Sequence, residues 1–270
     1  MEGEPDTAVA IALGVLQGVT EFLPVSSSGH LATFAFLVEV PQMSLALTVL
    51  LHAATLLATI LVFYPDLLEL TRTTLRHGTR PGALLATEEG QLLRDLVVAC
   101  VPTAVIGLLL ESRVEALSGM PLVVGLCFLA SAAIVFSTRG RTTGREVLSV
   151  GPALLVGIAQ GIAVLPGISR SGITIACGLM LGLSAPAAFR FSFLVSMPVI
   201  AGATLLELGK PGALAGLDST AWLAALVTFM SGYLALRWLR GLLTSGHFWL
   251  FAWYLVPLGA AVLLGHALGT

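Results

Sequence analysis

The chain has 270 residues, of which 57% are hydrophobic and only 10% charged, and its mean hydropathy is +0.98. A soluble domain carries about 25% charged residues, so a single soluble core is excluded and a polytopic membrane protein is expected. The net charge of −2, with no basic run, excludes nucleic acid as a partner.

In chain order, the first residues, MEGEPDTA, are acidic, and no Lys or Arg precedes Arg72. A cleaved signal peptide needs a basic start, so none is expected. Residues 8–23 and 31–38 are apolar but short, and Pro24 and three serines separate them. About 20 apolar residues are needed to cross ~30 Å as a helix. The two pieces therefore read as a re-entrant pair over about 8–38. Non-helical backbone at membrane depth is tolerated only where protein buries it or it lines a wet cavity, which marks the loop as a candidate site. Full spans follow at about 45–64, 93–111 and 120–137, and a cytoplasmic linker at 138–147. A second broken pair occupies about 148–183, interrupted at Pro166 and Gly167, and spans follow at about 186–207, 220–238 and 248–268. The segment 76–92 reads as a connecting loop. Cys100, Cys127 and Cys177 lie in apolar segments and read as buried free thiols without metal-binding spacing.

The fold class expected is an all-α polytopic membrane protein built as an inverted-topology repeat. Residues 1–137 form one half and 148–270 the other, each a re-entrant pair plus three spans. An odd number of crossings per half inverts the second half, and in such proteins the site lies near the midplane between the repeats. Shifting residues 14–31 by 143 positions supports the repeat. Gly14, Gln17, Gly18, Ser26, Ser28 and Gly29 then fall on Gly157, Gln160, Gly161, Ser169, Ser171 and Gly172. Charge bias orients the chain. With both termini outside, nine Arg residues fall in cytoplasmic segments and only Arg113 and Lys210 in outer loops. Trp222, Trp238, Trp249 and Trp253 lie near span ends, as an interfacial belt requires.

The chemistry concentrates in the two breaks. Gln17 and Glu21, four apart on a helix, share a face. An intramembrane Glu is a functional candidate by default, although Glu21 could also be a structural anchor and Gln17 helix–helix glue. Ser26, Ser27 and Ser28 open the second short helix. One serine can be a cap; three exceed that need. Ser27 and His30 share a face, and a Ser–His pair is the unit of an activated nucleophile. In the second break Arg170 lies between Ser169 and Ser171, with Thr174 further along the same face. Its guanidinium suits phosphate oxygens, though it could simply neutralise Glu21. Two helix N-termini, hydroxyls and one Arg describe a cradle for a phosphate or other oxyanion.

These residues carry a resemblance. QGVTEFLPVSSSGH resembles the (E/Q)xxxE and PVSSxGH motifs of the undecaprenyl-diphosphate phosphatases of the bacitracin-resistance type (BacA/UppP), and PGISRSGIT their PGxSRSxxT motif. The segment FSFLVSMPVIAGA, 191–203, is also similar to the family's. The resemblance implies hydrolysis of undecaprenyl diphosphate to undecaprenyl phosphate on the outer face of the inner membrane, with a divalent cation, Mg²⁺ or Ca²⁺. This recycles the lipid carrier for peptidoglycan synthesis. Glu21, Ser27, His30 and Arg170 are then the catalytic residues, and Ser26, Ser28, Ser169, Ser171, Thr174 and Gln17 bind the diphosphate. Glu21 and Gln17 would hold the metal. Gln17 stands where other members have Glu, and Arg190 where an acidic residue is expected. On this reading Ser27 attacks phosphorus with His30 as base, or His30 activates a water. The alternatives are a lipid-carrier flippase and, more weakly, a Glu/His proton-coupled antiporter. Glycine-rich stretches such as GLMLGLSAPAA would permit a homodimer.

Overall fold

The computed structural model describes residues 7–38, 44–210, 212 and 215–268. The expected outside placement of the two termini concerns residues 1–6 and 269–270, which lie outside the described residues. Every named element among the described residues is helical. In chain order they are α1 (Thr7–Phe22), α2 (Ser27–Val38), α3 (Leu45–Val62), α4 (Tyr64–His77), α5 (Pro81–Leu85), α6 (Glu88–Ser118) and α7 (Pro121–Phe136). The second half follows with α8 (Val150–Ile162), α9 (Arg170–Met180), α10 (Ala185–Leu208), α11 (Ser219–Thr244), a 3-10 turn (Phe248–Phe251) and α12 (Ala252–Leu268). Four helical stretches, Glu88–Leu110, Ala185–Leu208, Ser219–Thr244 and Phe248–Leu268, are long and apolar enough to span a bilayer. Two bent pairs raise this to six: α3 with α4 at 71°, and the end of α6 with α7 at 97°. The chain is a multi-pass membrane protein. Outward-facing apolar side chains such as Val101, Leu108, Leu109, Leu226, Leu234 and Leu264 would be a liability in water and suit hydrocarbon.

One expectation is corrected. The segment 76–92 is not a plain loop: α4 runs through to His77, α5 covers 81–85 and α6 starts at Glu88. The sequence contains the reason. Pro65 and Pro81 sit in the first turns of α4 and α5, where proline's missing N–H costs nothing. Asp66 opens α4 and Arg76 and His77 close it, each sign complementing the helix dipole. Arg190 also finds an account. Its Nε lies 2.5 Å from Asp66 Oδ1 and its Nη2 3.8 Å from Glu69 Oε2. The first contact is ionic, not an aligned hydrogen bond. Arg190 thus ties α10 to α4, and the acidic partners it needs sit on α4.

The short helices α1 and α8 are held by the same scheme used twice. α1 packs on α11 and α8 packs on α6. Gly14 meets α11 so closely that a Cβ there would lie 2.6 Å from Ala224 O, and a Cβ on Gly157 would collide with Ala99 O. The small residue is required for this approach. Thr228 Oγ1 donates to Gly14 O at 3.0 Å, and Thr103 Oγ1 to Gly157 O at 2.9 Å. The residue triplets Gly14/Ala224/Thr228 and Gly157/Ala99/Thr103 correspond one for one. α7 packs on α12, and α3 on α11 and α10; the tips of both broken pairs are buried at Ser26 and Ser169.

Candidate active site

Each broken pair breaks for a local reason. α1 stops at Phe22 because Pro24 follows and cannot supply an N–H. The chain turns through Leu23–Val25 and reaches Ser26 at φ +69°, the only left-handed non-glycine residue described. Such a conformation costs of order 1–2 kcal/mol and persists only where the surroundings fix it. They do: Ser26 Oγ accepts from Gly29 N at 3.3 Å, capping α2, and from Gly167 N at 3.2 Å. α8 stops at Ile162, and the return passes Pro166 and Gly167. Gly167 has φ +96°, and a Cβ there would lie 2.6 Å from Val124 O, so only glycine fits. Ser169 caps α9, accepting from Gly172 N at 3.0 Å.

The two breaks touch directly. Besides the Gly167–Ser26 bond, Ser171 Oγ donates to Leu23 O at 3.2 Å, and Ser131 of α7 steadies the second break by donating to Gly167 O at 2.9 Å. The N-termini of α2 and α9 therefore converge from opposite halves of the chain. Between them lies a cavity of about 390 Å³. Its polar end is formed by Glu21, Ser26, Ser27, Ser28, Ser169 and Arg170, with Thr20, Thr48 and His52. The rest of its lining is mainly apolar, Val49, Ala163, Val164, Ile168, Val199, Ile200 and Ala203, with Thr204 and Glu207 beside them.

At the polar end Glu21 is the hub. Arg170 Nη2 pairs with its Oε1, Ser27 Oγ donates to Oε2 at 2.6 Å, and Gln17 Nε2 donates to Oε2 at 3.2 Å. The carboxylate is 8% exposed and Arg170 one-fifth exposed at its side chain. The Glu21–Arg170 pair is thus formed, yet it is not a sealed structural bridge, because its arginine opens on the cavity beside Ser27.

Other expected residues are placed differently. Ser27 and His30 do not pair. Side chains in a helix lean toward its N-terminus, so Ser27, in the first turn of α2, leans back to the end of α1 and Glu21. His30 leans the same way, and its Nδ1 lies 2.8 Å from Ser26 O. A carbonyl only accepts, so Nδ1 carries the proton, and Nε2 must accept from Tyr254 OH at 2.6 Å. The two rings also stack, 5.7 Å apart and 5° from parallel. His30 is therefore bound to α12 and does not line the cavity. Thr174 Oγ1 bonds Arg170 O at 2.7 Å and Ser192 Oγ at 2.6 Å. Thr174 and Ser171 brace the α9 turn from behind and stay out of the cavity. Sequence reasoning missed His52, Thr48 and Tyr254. For His52 a signal existed, since a lone ionisable group stands in the apolar run LALTVLLHAATLLATILV. For Tyr254, near a span end, none did.

The family model described as bacitracin resistance protein BacA matches residues 10–261. The chain belongs to the BacA family. It is 40% identical to an undecaprenyl-diphosphatase of Desulforapulum autotrophicum, over 90% of this chain and 92% of the relative. An undecaprenyl-diphosphatase of Desulfosudis oleivorans is 41% identical, over 94% and 96%. One of Korarchaeum cryptofilum is 37% identical, over 96% and 98%. The BacA match spans both broken pairs and the cavity between them.

A divalent cation at this site would draw on Glu21 and Gln17. Hard cations take oxygen ligands, and Mg²⁺ is usually held by one or two carboxylates together with substrate phosphates. Among the described residues no three His, Cys, Asp or Glu side chains cluster. Glu21 is the single acid on its helix, and both its oxygens already take donors, one from a cation, Arg170. Gln17 turns its amide nitrogen to Glu21. Gln17 Oε1 is buried without a hydrogen-bond partner, but with both Glu21 oxygens engaged it is the one free ligand atom of the pair, too few to hold a resident divalent ion.

Proposed function

We propose that this chain is an integral membrane phosphatase that hydrolyses undecaprenyl diphosphate to undecaprenyl phosphate and inorganic phosphate. It thereby recycles the lipid carrier of peptidoglycan synthesis and protects against bacitracin. The observation that carries the reading is the cavity itself: a serine, a carboxylate and an arginine from opposite halves of the chain meet in it, and most of its remaining lining is apolar. Nothing in the site or the relatives favours a flippase.

In this reading the isoprenoid lies along Val49, Ile168, Val199, Ile200 and Ala203, and the diphosphate enters the polar end. Arg170 and the N-termini of α2 and α9 hold its oxygens, with Ser26, Ser28 and Ser169 beside them. Ser27 Oγ attacks the terminal phosphorus. Its proton passes to Glu21 Oε2, to which it is already bonded, and the lipid phosphate leaves with the electron pair. Little covalent work is asked of the protein; positioning and charge stabilisation do most of it. His30 acts indirectly, anchoring the first turn of α2 to Tyr254. A divalent cation of the kind the resemblance implies would come in on the diphosphate's own oxygens. We further infer that residues 1–137 and 148–270 are inverted repeats with the site facing the outer side, a reading supported by the matched Gly–Thr contacts and by the nine-to-two bias of basic residues.

The test is phosphate release from a C55 diphosphate by the purified protein in detergent. Stoichiometric release of one phosphate per lipid is expected. Lipid diphosphate recovered intact after long incubation would reject the assignment.

A further inference from the structure

His52 is the one histidine lining the cavity, and neither diphosphate binding nor the attack by Ser27 uses it. It comes from α3, outside both broken pairs. Its Nδ1 lies 2.9 Å from Thr48 O, one turn earlier. A backbone carbonyl only accepts, so Nδ1 carries the hydrogen and the neutral ring keeps its lone pair on Nε2. No hydrogen bond to Nε2 is made among the described residues. The ring is only partly buried and lies within electrostatic range of Glu21. His30 presents the opposite case. Its Nε2 lone pair is occupied by Tyr254 OH, and it stands outside the cavity. Of the two histidines, His52 alone offers an unengaged basic nitrogen to the space where a phosphoryl group would sit.

The site also has a gap that such a nitrogen fills. Attack by Ser27 leaves a phosphoserine and a protonated Glu21. Glu21 must give that proton back to Ser27 Oγ as the phosphoserine breaks, so it cannot also take a proton from the incoming water. A second base is needed, and Arg170 is permanently charged. Glu207, the remaining ionisable group around the cavity, is paired with Lys210 at 2.7 Å.

We propose that His52 is the general base for the second half-reaction, in which water hydrolyses the Ser27 phosphoester. The water oxygen bonds to phosphorus and the Ser27 Oγ–P bond breaks. The water's proton goes to His52 Nε2, and the proton held by Glu21 returns to Ser27 Oγ. Phosphate leaves, and His52 passes its proton to solvent through the cavity mouth. Thr48 is the positioning residue, since its carbonyl fixes which nitrogen is basic. The proposal rests on the phosphatase reading and adds to it a division of labour: Glu21 serves the first transfer and His52 the second.

The experiment compares wild-type protein, His52→Gln and His52→Ala with C55 diphosphate in detergent, measuring lipid monophosphate and free phosphate separately over time. General-base catalysis contributes about 10²–10⁴-fold. His52→Gln should therefore release phosphate at least ~100-fold more slowly, while lipid monophosphate still appears in a near-stoichiometric burst and acid-quenched protein carries phosphate on Ser27. Added imidazole should accelerate phosphate release by His52→Ala, which a purely structural loss would not allow. Phosphate release close to the wild-type rate would overturn the proposal. So would a parallel fall of both products with no burst and no imidazole response. Failure of the wild-type protein to release phosphate would instead reject the phosphatase reading, which keeps the two outcomes distinct.

Discussion

Arg170→Lys is expected to lower phosphate release by about 10³-fold while leaving a folded protein. The loss comes from geometry. Arg170 reaches Glu21 with one nitrogen and opens the rest of its planar fork on the cavity. A lysine keeps the charge but cannot hold a carboxylate and a phosphoryl oxygen in the same fixed plane. An arginine on a transferring phosphoryl group is worth about 10³–10⁵ in turnover, and charge retention sets the expected loss at the lower bound. Arg170→Ala should do worse in a second way. It leaves Glu21 buried without its cation, and breaking a buried pair costs about 3–5 kcal/mol. Thermal unfolding in detergent separates the two effects. The lysine variant should unfold near the wild type and the alanine variant clearly earlier. A lysine variant with turnover within tenfold of wild type would remove Arg170 from the chemistry and leave it as Glu21's counter-ion.

Ser27→Ala should be the most damaging single change. Loss of a nucleophile removes roughly 10⁴–10⁶ of rate where no other group can attack. The fold should survive it, because Ser27 is on the cavity side of α2 while the cap of that helix is Ser26. Glu21 loses one of three donors and keeps Arg170 and Gln17. The informative readout is the phosphorylated peptide. Rapid acid quench of wild-type protein should yield a phosphoryl group on the segment containing Ser27, and the alanine variant should yield none. If Ser27→Ala retained turnover within tenfold, direct attack by water would replace the serine mechanism, and the 2.6 Å bond to Glu21 would be a restraint only.

Much of this site could be read from the chain. The two breaks followed from Pro24 with its serines and from Pro166–Gly167, and the repeat offset of 143 positions foretold that Ser26 and Ser169 would play matching parts. They do: each caps its helix by accepting from the glycine three residues on. The Glu21–Arg170 pair was legible only as the alternative to a phosphate-binding Arg170; the pair forms, and Arg170 still lines the cavity. What failed was local spacing. Ser27 and His30 share a helix face, but the partners that claim them lie elsewhere, on α1 and on α12. A helical period describes only one helix's own surface, whereas Tyr254 reaches His30 through the packing of α12 on α7 beside α2. His52 was passed over for the same reason. Nothing within its own apolar run places it at the cavity; the packing of α3 against α1, α10 and α11 does so. The loop expected at 76–92 was misread because charged residues suggested solvent, while Pro65, Asp66 and Arg76 were arranged as helix-end signals.

On this reading the two halves of the chain supply one site through Glu21 and Arg170. A double-mutant cycle tests it most directly: phosphate release from C55 diphosphate by the wild type, Glu21→Gln, Arg170→Gln and the double variant, at matched folded concentrations. Residues that act as a unit lose activity non-additively. The double variant should therefore be no slower than the worse single variant. Losses that multiply in the double variant would mean that the two residues act independently, and the shared site would have to be given up.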